Sequence, residues 1–131
     1  MDWHVPQVNL VFAWGGILLG FLSGIVLGMF FHREEWLGGY ASLRRRMYRL
    51  GHISFFGLGA VNLFFWITIK LSPAAGTLIN IASGAFIIGA ITMPLCCLVM
   101  AHFPKLHLSF AVPVVSLITG GLLTLLEIAK P

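Results

Sequence analysis

The chain has 131 residues, of which 59% are hydrophobic and only 9% charged, and its mean hydropathy is +0.97. A soluble domain carries charge on roughly a quarter of its residues, so lipid rather than water is expected around most of this surface. The formal net charge is +4, the length suits one membrane domain, and the adjacent Cys96 and Cys97, pointing about 100° apart on a helix, form no disulfide framework.

The opening Met1-Asp2-Trp3-His4 lacks the basic region of a cleaved signal peptide, and the apolar run after it is too long for one. Residues 9–31 are therefore expected to stay as a first transmembrane helix, since a bilayer core of about 30 Å takes about 20 apolar residues. Down this helix Gly16, Gly20, Gly24 and Gly28 recur every four residues, with Gly15 and Ser23 at the edges. Small residues so spaced leave a groove in which a second backbone can lie close. A sister helix is the preferred occupant, another subunit or a second copy the alternative.

Residues 32–50 form the one long connection. Trp36, Tyr40, Leu43, Met47 and Leu50 fall on one helical face, with Arg44, Arg45, Arg46 and Arg49 largely on the rest of the turn. This predicts an amphipathic segment lying in the interface, broken early by Gly38-Gly39, its arginines turned to anionic lipid. Lipid, not nucleic acid, is the partner such a loop implies.

Three more spans follow, at about residues 51–69, 76–101 and 108–129. The first holds Asn62, the one strongly polar side chain deep in a span and a natural interhelical hydrogen-bonding group. The next carries Ser83, Gly84, Gly89, Ala90 and Pro94, and the last Ser116, Gly120 and Thr124. Short connections predict an all-α, antiparallel four-helix bundle as a single domain. Arg33, Arg44, Arg45, Arg46, Arg49 and Lys105 fall on one side, against Lys70 and Lys130 on the other. That asymmetry places the long loop in the cytoplasm and both termini outside, as for a protein of a bacterial inner membrane.

No Asp, Glu, Lys or Arg lies deep in a span, which argues against an ion-coupled transporter or pump. Neither a paired carboxylate, a nucleophile with its base, nor a phosphate-cradling loop is present, so no independent catalytic activity is expected. The side chains able to hold a cofactor gather instead at the cytoplasmic end: His32, His52, His102, His107, Met29, Met47, Met93, Met100, Cys96 and Cys97. His52 and His102, on facing helices at one level with His107 close by, suit the axial ligation of a b-type haem. Arg45 and Arg49, with Arg44 and Arg46, would then hold its propionates. Met93, Cys96, Cys97 and Met100 share one helical stripe, and such soft ligands favour Cu(I); they are also good packing residues.

The stretch from Arg44 to Phe65, Arg-Arg-Arg-Met-Tyr-Arg-Leu-Gly-His-Ile-Ser-Phe-Phe-Gly-Leu-Gly-Ala-Val-Asn-Leu-Phe-Phe, is loosely similar to small bacterial membrane proteins of the copper-resistance-D and haem-handling kind. In those, a basic loop runs into a helix bearing an early histidine. The similarity spans about a sixth of the chain and carries over no residue's role. Two functions stand as expectations: a haem b electron-transfer or respiratory accessory protein, or a cofactor-free accessory subunit that docks a partner helix on its glycine face. Copper handling is the third.

Overall fold

A computed structural model describes residues 5–72 and 76–130; Met1-Asp2-Trp3-His4 lie outside them. Among the described residues, four helices are long and apolar enough to cross a membrane, and the chain is an integral membrane protein. They are α1 (Val5–Phe31), α2 (Leu43–Leu71), α3 (Thr77–His102) and α4 (Ala111–Ile128), with short 3-10 turns at Trp36–Gly38 and Pro104–Phe110. Large apolar side chains such as Trp14, Phe21, Phe64 and Leu122 stand more than half exposed. A surface of that kind is stable only in lipid.

The contacts follow chain order. Asn9 meets Asn62 while Ser23 meets His52, and Arg44 meets Ala101 while Phe65 packs on Phe86. Cys96 meets Ser109 while Ala85 meets Ser116. Numbers rise along one helix as they fall along the next.

The first loop is broken at Gly38-Gly39, as expected, and the break separates Trp36 from the rest of the helical face. Leu37, Gly38 and Gly39 all have positive φ, which no helix tolerates, so Trp36 belongs to a separate turn. Helix α2 then starts at Leu43, eight residues before the expected span. Ser42 caps it, accepting from the Arg45 amide at 3.1 Å and donating to the Leu37 carbonyl at 2.8 Å. With 29 residues, α2 is about 43 Å long, well over the apolar core, and the excess lies at its arginine-rich start.

Arg45 fastens that start to the end of α1. Its side chain is fully buried and donates to the carbonyls of Phe31 (2.8 Å), Arg33 (3.2 Å) and Glu34 (3.1 Å). These groups have no partner within the ending helix. The guanidinium also lies 3.9 Å from the centre of the Tyr40 ring, an arrangement that suits a planar cation.

Two further features hold the opposite end. Asn9 donates to Asn62 Oδ1 at 2.8 Å and accepts from the Ser83 hydroxyl, joining α1, α2 and α3 through three fully buried side chains. Nearby, Phe65, Ile79, Ala82 and Phe86 form an apolar cluster that Leu117 and Leu123 of α4 complete.

Candidate functional site: an apolar cleft with a polar end

The glycines of α1 set how closely α2 approaches. A Cβ at Gly16 would lie 2.9 Å from the Phe55 carbonyl oxygen and 3.3 Å from Gly59 Cα, so here backbone meets backbone. At Gly20 and Gly24 the space is filled by the rings of Phe56 and His52; around Gly28 it is open. Helix α2 thus occupies most of the groove read from the sequence.

On the other flank α1 and α3 diverge. They are joined at the Asn9–Ser83 contact; from there toward the basic end a cleft opens between them, floored by α2. Its deeper part, about 460 Å³, is walled by Val11, Gly15 and Leu19 on α1 and by Ala90, Pro94 and Leu95 on α3. A second cavity of about 230 Å³ continues toward the basic end, reaching Leu27 on α1 and Tyr48 on α2. Phe55, Pro94 and Leu98 line both. From Val11 to Leu27 the cleft runs about 24 Å, at 1.5 Å per residue. Leu19 and Leu95 on its two rims are about half exposed (49% and 52%), so it opens sideways toward lipid.

Its walls are apolar along the whole length; the polar side chains that border it stand at one end, with their polar atoms turned to partners within the protein. There Ser23 lies 2.9 Å from His52 Nδ1, the His52 ring stands edge-on to Phe56, and the Tyr48 hydroxyl lies 3.0 Å from His102 Nε2. Arg44, one turn before Tyr48 on the same face of α2, reaches the Ala101 carbonyl through Nε at 3.4 Å.

The histidines expected to share a cofactor stand at one end of the protein but not around one space. His52 is turned to α1, its Cε1 and Nε2 edge toward Gly24, whereas His102 faces Tyr48 on the outer turn of α2. His107 is exposed in the 3-10 turn. Of the three, only His52 lines a described cavity. Arg45 is held by carbonyls, while Arg46 and Arg49 make no ion pair among the described residues. A haem between His52 and His102 would require both rings to leave their present partners.

Cys96 donates to the Ser109 carbonyl at 3.4 Å, and Cys97 is fully buried against the Gly51 turn of α2. Met93 and Met100 are half-buried on the same stripe. Among the described residues no group of three or more His, Cys, Asp or Glu side chains is placed to hold a metal ion.

Tyr48 and Pro94 were not singled out as site residues from the sequence. The signal for Tyr48 was present: Arg44, Tyr48, His52, Phe55 and Gly59 recur at four, four, three and four, a second helical stripe beside the amphipathic one. Comparison with protein-family models, with curated proteins and with solved structures finds no match for the chain.

Proposed function

We propose that the protein is a ligand-binding accessory component of a bacterial inner membrane, without catalytic activity of its own. Its four helices cross as an antiparallel bundle, with the arginine-rich loop in the cytoplasmic interface and both termini outside. The ligand is an elongated amphipathic molecule. Its apolar chain lies between α1 and α3, and its polar end meets Ser23, Tyr48 and His52.

One observation carries this reading: two cavities joined by shared walls make one apolar cleft, and the polar side chains that border it, Ser23, Tyr48 and His52, all stand at its basic end. Concave, mostly apolar sites with a few convergent polar groups are the usual form of small-molecule sites. Gly15 supplies the test, because it lines the cleft and a Cβ there meets nothing within 4 Å. Gly15→Leu should fill the cleft while the helices stay packed. Gly57→Leu is the control, equally free of neighbours but away from the cleft. Native mass spectrometry of gently solubilised protein should find a retained amphipathic adduct on the parent and on Gly57→Leu, and its loss on Gly15→Leu. Equal adducts on all three would refute a site in the cleft.

A second reading is favoured by the gathering of His52, His102 and the arginines at one end: haem b held for electron transfer. A reduced-minus-oxidised spectrum with sharp α and β bands would support it. A colourless preparation made with haem supplied during expression would remove it.

A further inference from the structure

We infer that the occupant of the cleft is a phospholipid of the cytoplasmic leaflet with an anionic headgroup, recognised through Arg44. The inference rests on the binding site proposed above and concerns which chemistry that site selects.

At 3.6 residues per turn, Arg44 lies on the same face of α2 as Tyr48 and His52, one turn beyond Tyr48, the outermost α2 residue lining the cleft. Its Nε reaches the Ala101 carbonyl, which ties the side chain toward α3, on the flank where the cleft opens, and leaves both terminal nitrogens as donors. No carboxylate pairs with it: the one ion pair among the described residues is Lys130 with Glu127, near the end of α4. An exposed guanidinium without a counter-ion, one turn above an apolar channel, matches a phosphate ester attached to an acyl chain. A zwitterionic headgroup brings its own cation and gains less. Arg45, on the neighbouring position, is already held by three carbonyls and takes no part. Arg46 projects from the opposite face of α2, away from the mouth.

That last placement makes the idea testable. Delipidated protein in a neutral detergent is titrated with phosphatidylglycerol and with phosphatidylcholine of the same chains, bound lipid being read by native mass spectrometry. The parent should prefer phosphatidylglycerol. Arg44→Gln should reduce that preference about fivefold, the ratio expected for one arginine acting on an anionic lipid at a membrane surface, while phosphatidylcholine binding stays as it was. Arg46→Gln removes the same charge and should change nothing. Equal losses in the two variants would show a diffuse basic surface and overturn the inference. So would parental protein that binds both lipids equally, an outcome that leaves the cleft itself standing. Binding of neither lipid, or binding that survives Gly15→Leu, would remove the cleft reading together with this one.

Discussion

Arg45 is the residue on which the basic end depends. Its neighbours in sequence suggest a surface cation, yet its side chain is fully buried, with three carbonyls and an aromatic ring around it. Replacing it leaves the Phe31 and Glu34 carbonyls without this donor, and a hydrogen bond to a charged group contributes about 1.5–3 kcal/mol. Arg45→Ala should therefore cost about 3 kcal/mol or more, read as a clear fall in Tm in detergent. Arg45→Lys should recover only part, because an ammonium cannot spread over three acceptors as a planar fork does. Arg46→Ala should leave Tm unchanged. Nothing in Arg44-Arg45-Arg46 taken as a sequence says which of the three turns inward. That choice is made by the positive φ values of Leu37, Gly38 and Gly39, which bring the end of α1 back over the start of α2. Asn62 was more legible: an amide deep in an apolar span needs a partner, and Asn9 provides it. Asn9→Ala should cost about 1 kcal/mol, a smaller fall in Tm than Arg45→Ala.

Between elements, the four glycines of α1 read as one repeat but behave differently. Gly16 faces Gly59 backbone to backbone, Gly20 and Gly24 face rings, and Gly28 faces nothing within 4 Å. Gly16→Ala should destabilise by about 1–3 kcal/mol through overpacking. Gly28→Ala should be neutral or slightly stabilising, since alanine is the better helix former. Comparable losses at both sites, measured by thermal unfolding, would contradict the packing described. The four-residue spacing revealed a packing face, whereas its partner Gly59 was hidden because the glycines of α2, Gly51, Gly57 and Gly59, make no such repeat. The cleft was hidden for a similar reason. It exists because α1 and α3 are joined at Asn9 and Ser83 and separate below, and the angle between two helices has no counterpart in either helix's periodicity.

For the molecule as a whole, the uneven distribution of basic residues predicts the orientation. A reporter active only outside the cytoplasm should work when fused after Lys130 and fail when inserted between Gly38 and Gly39. The opposite pattern would invert the proposed topology and with it the leaflet that supplies the ligand. The central claim is that the cleft between α1 and α3 holds an acyl chain as a site and not as ordinary surrounding lipid. The most direct measurement is photo-crosslinking with a phospholipid carrying a diazirine in its chain, followed by mapping of the labelled residues. Leu95 on the cleft rim is 52% exposed, and Ile118 and Leu122 on α4 are 56% and 55% exposed, so accessibility alone would label all three alike. The account predicts label concentrated on Leu19, Leu95 and Leu98, and competed away by unlabelled anionic lipid. Even labelling of Leu95, Ile118 and Leu122 would contradict it.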